Sequence, residues 1–216
     1  MKPIIIYFSS LFFICQTYTS FGQTIRDVLQ ELPLIYTPEL TNTAKDSLLK
    51  FGSYIIITDR NDVGTAKYTN EGETEKYIRL VWSWTPQNCF MVIELRMFKK
   101  INGDILVVYS RYAGSQALYG QRELRAFDFI DNKLTDNIEV KLPMTLDAKE
   151  YFKKDIPDSL LKYFADELNL SCNLDPEGND GIEYIALTQR TSMMDWMNLN
   201  PIIFVWNGES FKKSIK

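Results

Sequence analysis

The side chains of this chain that could do chemistry are carboxylates, cysteines and a methionine-rich run, because its 216 residues include no histidine. That absence removes Ser-His-Asp and Cys-His catalysis and the commonest zinc and copper sites. Chemistry by carboxylate, lysine, tyrosine or serine survives, as does binding without chemistry. The run Asp175-Pro176-Glu177-Gly178-Asn179-Asp180-Gly181 sets oxygen ligands at alternate positions, as a calcium loop does. Asp180 stands where the turn glycine belongs, however, and Ala186 where the bidentate carboxylate belongs, so a solvated hairpin connection is expected, with no metal and no cofactor. A glycosidase-like acid/base pair needs two carboxyls roughly 5 to 10 Å apart. Among 28 acidic residues, mostly in loops and helix first turns where solvation and capping account for them, no pair stands out. No catalytic residue is assigned.

Two further groups have a functional and a bland reading. Met193, Met194, Trp196 and Met197 gather soft apolar surface around one indole, which suits adaptable recognition; the alternative is that they plug the end of a sheet. Cys89 and Cys172 either form one disulfide or remain two buried thiols, and a nucleophilic role is not expected without a histidine base.

The N-terminus sets the compartment. Lys2 precedes an almost wholly apolar stretch from Ile4 to Ile14, and no acidic residue occurs before Asp27. Residues 1 to 22 therefore read as a secretory signal peptide, with cleavage after Ser20-Phe21-Gly22 leaving Gln23 first. The apolar run is shorter than the roughly 20 residues of a spanning helix, so no membrane-spanning segment is expected after cleavage. Bulky Phe12-Phe13-Ile14 before Cys15 argues against lipidation of that cysteine. Cleavage removes Lys2 and no acid, taking the formal net charge from −4 to −5. With that surplus and no basic cluster, nucleic acid is excluded as a partner, and an envelope protein or glycan is expected in a periplasmic or secreted setting.

The elements that must position these residues are mostly strands. Two apolar runs from Cys89 to Tyr112 flank Asn102-Gly103, a two-residue hairpin signal. A two-residue turn there pairs Ile93 with Tyr112, Leu95 with Ser110, Met97 with Val108 and Lys99 with Leu106 on the face taken as core. It leaves Glu94 with Arg111, Arg96 with Tyr109 and Phe98 with Val107 on an amphipathic face. Ile78, Leu80, Trp82 and Trp84 alternate along a strand from Lys76 to Trp84, a tight hairpin is expected at Asp131-Asn132, and a closing hairpin of Pro201 to Trp206 with Glu209 to Ser214 around Asn207-Gly208.

Helices are predicted after the capping pair Thr24 and Asp27, from Ala44 to Phe51 with Gly52 as the stop, and from Pro157 through Leu168. Consecutive hairpins with segregated helices predict an α+β fold: an antiparallel β-meander with short helices packed on it. Residues 23 to 216 read as one domain. Asp46-Ser47-Leu48-Leu49-Lys50 and Asp158-Ser159-Leu160-Leu161-Lys162 echo each other as a weak two-fold αα-ββββ repeat, with halves 23–142 and 143–216.

The run Leu32-Pro33-Leu34-Ile35-Tyr36-Thr37-Pro38-Glu39-Leu40-Thr41, followed by Asn42 to Phe51, resembles the opening of a family of secreted, uncharacterised Bacteroidetes-type proteins. That family has a Met-Pro-Asp-Ser-Leu-Leu-Pro-like run, a polar turn and a short helix; here Leu32 replaces Met, and Leu34 and Ile35 replace Asp and Ser. The resemblance implies an exported protein from such a bacterium and no particular activity. From the residues, the expected function is a non-enzymatic envelope or secreted interaction module; the alternative is a carboxylate-dependent hydrolase of envelope polysaccharide or peptide.

Overall fold

A computed structural model describes residues 22–57, 64–85, 88–115, 119–142, 148–165, 168–174, 180–188, 191–198 and 200–214. Residues 1–21, which fall within the expected signal peptide, and residues 175–179 of the acidic run lie outside them. The fold is α+β, as the sequence predicts. Seven antiparallel strands form one meander in chain order: β1 (Ser53–Ile57), β2 (Thr65–Glu73), β3 (Tyr77–Thr85), β4 (Cys89–Lys99), β5 (Ile105–Ser115), β6 (Tyr119–Ile130) and β7 (Lys133–Asp136). A second antiparallel sheet has the order β11 (Phe211–Lys213), β10 (Ile202–Trp206), β9 (Gly181–Leu187) and β8 (Asn169–Asn173). Helices α1 (Ile25–Glu31) and α2 (Asn42–Phe51) precede the first sheet. A 3-10 turn at Ala148–Tyr151 and α3 (Asp158–Ala165) connect the sheets, and α4 (Thr191–Met194) lies between β9 and β10.

The large sheet is buried on both faces at its centre. On one face Ile78, Leu80, Ile93, Leu95, Val107 and Tyr109 meet Ile25, Val28, Leu29 and Leu48 of α1 and α2. On the other, Phe98, Leu106, Val108 and Leu124 meet Cys172, Ile182, Tyr184 and Phe204 of the second sheet. The layers are thus helix pair, large sheet and small sheet. The expectation of one dry and one amphipathic face on β4 and β5 is corrected by that second sheet.

The β4–β5 register is corrected as well. Lys99 pairs with Ile105, Met97 with Val107, Leu95 with Tyr109 and Ile93 with Arg111, one residue off the predicted pairing. Gly103 takes a positive φ of 94° while Asn102 does not, so the connection is a three-residue loop closed by Lys100 N–H to Asp104 C=O at 2.8 Å. A two-residue type I′ turn needs positive φ at both central positions, and the one-residue difference moves every β5 side chain to the opposite face. Asp131 and Asn132 do both have positive φ, 51° and 58°, and there the predicted tight hairpin forms with Ile130 opposite Lys133.

The N-terminal helices follow their caps. Thr24 and Asp27 close a capping box on α1. The N-cap of α2 is Thr41, two residues earlier than predicted, and Gly52 ends it in the left-handed conformation at φ 74°. Lys45 on α2 is buried, 1% exposed, and its Nζ donates to the Leu32 carbonyl at 2.6 Å and the Gln30 carbonyl at 3.2 Å. These carbonyls end α1, so a cation from the second helix caps the first. Between the helices, Tyr109 Oη donates to the Tyr36 carbonyl at 3.0 Å and Tyr68 Oη to that of Pro38 at 2.8 Å, pinning the connecting segment across the sheet. Both copies of the Asp-Ser-Leu-Leu-Lys echo are helical, in α2 and α3, but they serve different cores. No helix among the described residues is long and apolar enough to cross a membrane.

Candidate functional site

Glu94 is the carboxylate that burial perturbs most plainly. Strand alternation turns it toward the second sheet, where it is 0% exposed. Its Oε1 accepts from Tyr77 Oη at 2.9 Å and Arg79 Nη1 at 2.8 Å, and its Oε2 accepts from the backbone N–H of Leu174 at 3.2 Å. Arg96 Nη1 donates to the Leu174 carbonyl at 2.7 Å, so the backbone of one residue beyond β8 is held through both its N–H and its C=O. Arg79 also lies 5.7 Å from the Tyr112 ring centroid and 3.5 Å from Glu71. Burial pushes the Glu94 carboxyl above its usual range against the pull of Arg79, Tyr77 and the Leu174 N–H. Burial likewise pushes the Tyr112 phenol up to about 12. A raised carboxyl can signal a general acid, but none of the cavities described for this fold is lined by Glu94. Its partners are structural, and it joins the sheets.

Beside it runs a second polar seam. Gln121 Nε2 donates to Ser110 Oγ at 3.0 Å, Ser110 Oγ donates to the Cys172 carbonyl at 3.2 Å, and Cys172 N–H donates to Gln121 Oε1 at 2.9 Å. The Cys172 thiol is fully buried, and burial pushes it well above its ordinary range, with Glu94 adding to the rise. Both effects disfavour the thiolate, the form that attacks. The hydroxyls of Tyr151 and Tyr184 are buried near it without a hydrogen bond of standard geometry.

The structure draws no disulfide between Cys89 and Cys172, and of the two only Cys172 is buried, Cys89 being half-buried. Cys172 lies over Ser110, which pairs with Glu94. Cys89 is five residues farther along β4, roughly 17 Å at about 3.4 Å per residue. A disulfide needs Cα atoms within about 7 Å.

The methionine-rich run is split between core and surface. Met193 and Met197 are buried in a third core with Phe152, Leu161 and Phe164. Phe152 and Met197 form a bridge, while Trp196 packs partly buried against this core and Met194 is 47% exposed. Among the described residues no group of three or more acidic or cysteine side chains is placed to hold a metal ion.

A further concavity lies elsewhere, at the edge of β6 beyond the end of β7. Strand β7 pairs with β6 only from Lys133 to Asp136, and Asn137 then donates its N–H to the Ala126 carbonyl at 2.9 Å. The Asn137 side chain accepts from the N–H groups of Glu139 and Val140 at 3.0 and 2.9 Å, an Asx turn that carries the chain away from the sheet. What opens is a groove of about 610 Å³ lined by Arg111, Arg122, Arg125, Glu123 and Asp136, with Leu124, Ala126, Val140 and Leu142 beneath and Ile138 92% exposed. Arg111 and Arg125 share Glu123, at 2.9 and 2.5 Å, and Arg125 also approaches Asp136 at 4.0 Å. Sequence reasoning passed over this site. The alternation Arg122-Glu123-Leu124-Arg125 is visible, but the bulge beside Arg111 and the early end of β7 are not.

No protein-family model, curated protein or solved structure matches this chain significantly.

Proposed function

We propose that this chain is an exported, non-enzymatic interaction module of a bacterial envelope or secretome, the reading that best fits a sealed polar centre and an open strand edge. The observation that carries it is the placement of Glu94: a carboxylate raised by burial, with both oxygens engaged by Tyr77, Arg79 and Leu174, and lining none of the described cavities. The groove along β6 instead borders backbone that β7 has left among the described residues, an arrangement in which proteins commonly receive one another. Export rests on the apolar leader and on the likeness of the Leu32–Thr41 segment to secreted Bacteroidetes-type proteins. In keeping with that likeness, Leu34 and Ile35, where that family carries polar residues, are 51% and 74% exposed.

The test is photo-cross-linking of the tagged chain in a native envelope fraction, with intact-mass measurement of the recovered protein. Reproducible cross-links to one envelope component and a mass starting at Gln23 are expected. A mass retaining residues 1 to 22 removes the export claim. Turnover of envelope polysaccharide or peptide by the purified chain, lost on Glu123→Gln, replaces this reading with the hydrolase.

A further inference from the structure

We propose that the groove along the free edge of β6 binds an extended, carboxylate-bearing peptide segment of a partner protein, which adds to β6 as a strand and sets its acidic side chains against Arg122 and the Arg111–Arg125 pair. This rests on the interaction-module reading and names the kind of partner.

Backbone geometry supplies the first argument. The Ala126 carbonyl points away from β5, since it accepts from Asn137. In an antiparallel ladder the hydrogen-bonding direction alternates residue by residue, so the N–H and C=O of Leu124 point the same way, into the groove, where β7 has left the sheet and no strand pairs with them among the described residues. An unpaired edge at the floor of a groove is the receptor geometry for strand addition, in which main-chain bonds give affinity and flanking side chains give specificity.

Charge supplies the second. The chain as a whole is net negative, yet three guanidinium groups and two carboxylates line this groove. Both carboxylates are already engaged by Arg111 and Arg125, and Arg122 is exposed with no ion pair among the described residues. The local surplus is positive, and guanidinium is the cation best shaped to take a carboxylate in two parallel hydrogen bonds. The exposed Ile138 and the half-buried Val140 and Leu142 offer apolar contact to the alternate side chains of such a strand.

The experiment titrates the mature chain, residues 23–216, with the blocked peptide acetyl-Val-Glu-Val-Glu-Val-amide and follows backbone amide shifts. Shifts at Leu124 and Ala126 are expected. Replacing both Glu by Gln should weaken binding about tenfold, and N-methylation of the central peptide bond by a similar factor. Arg122→Gln, a change at an exposed side chain, should weaken it about three- to fivefold, the scale of one exposed ion pair. Equal affinity for the Gln peptide, or no shift at Leu124 and Ala126 at millimolar peptide, overturns the proposal. Tighter binding of trigalacturonate at the same residues overturns it in favour of an acidic glycan. Envelope cross-links that map to another face overturn this assignment and leave the interaction-module reading standing.

Discussion

The carboxylate of Glu94 accepts a hydrogen bond from the backbone N–H of Leu174, 80 residues later in the chain, at 3.2 Å. Glu94 belongs to the middle of the large sheet, and Leu174 follows β8, the strand of the small sheet that crosses above β5 and β6. With Arg96 holding the carbonyl of the same residue, the pair fixes the register of one sheet over the other as apolar packing cannot. Hydrophobic contact is non-directional, whereas a buried acceptor facing three donors tolerates one arrangement.

Glu94→Gln should therefore destabilise the fold. The amide nitrogen cannot accept, so one of the three donors is left unsatisfied, at about 1–3 kcal/mol. Glu94→Ala should cost about 3–5 kcal/mol, since it strands part-buried Arg79 as well. The pH dependence follows from the raised carboxyl. Folded Glu94 holds its proton more tightly than the unfolded chain does, so its contribution is complete below the unfolded value of about 4.5 and declines as pH rises through the folded pKa. Urea unfolding between pH 4 and 8 should show the advantage of the wild type over Glu94→Gln shrinking with pH. An advantage that grows with pH would contradict this.

Lys45→Met tests the inter-helix cap. The substitution keeps the apolar stem but leaves the Leu32 and Gln30 carbonyls without their donor at the end of α1. The expected loss is about 1–3 kcal/mol, read as a lower urea midpoint at unchanged m-value. A variant as stable as the wild type would mean that water replaces the ammonium there.

Much of this architecture was legible where local chemistry and long-range packing agree. The Thr24–Asp27 box, the Gly52 stop, the alternation from Ile78 to Trp84 and the Asp131-Asn132 turn each specify a conformation within a few residues, and each forms. What was illegible depends on partners distant in sequence. Strand β8, Asn-Leu-Ser-Cys-Asn, has no apolar period, and it is a strand because β9 pairs with it and Gln121 and Ser110 bond its backbone. The β4–β5 register turned on one dihedral, that of Asn102, which composition does not reveal. Glu94 was visible as a charge inside Met91–Phe98, but assigning it to Arg111 followed from the wrong register. The groove required knowing that β7 stops at Asp136.

The cysteines give the sharpest separation between two surfaces of the sheet. Cys89 is half-buried at the end of β4 nearest β3, whereas Cys172 is sealed between the sheets over Ser110 with its thiol pushed up by burial. Because thiolate, not thiol, attacks a disulfide reagent, Cys89 should react with Ellman's reagent in the native protein, and Cys172 should react only as fast as the fold opens. Denaturing the unreduced mature chain, residues 23–216, which lacks Cys15, should then reveal two thiols per chain. One thiol in the native state and two in urea fits this arrangement. None in urea at monomeric mass would mean that the two cysteines are bonded, which would require β8 to lie at least about three residues from its place over Ser110. Glu94→Ala, by loosening Leu174 beside β8, should accelerate the Cys172 reaction while leaving that of Cys89 unchanged, so the same assay reads the clamp between the sheets directly.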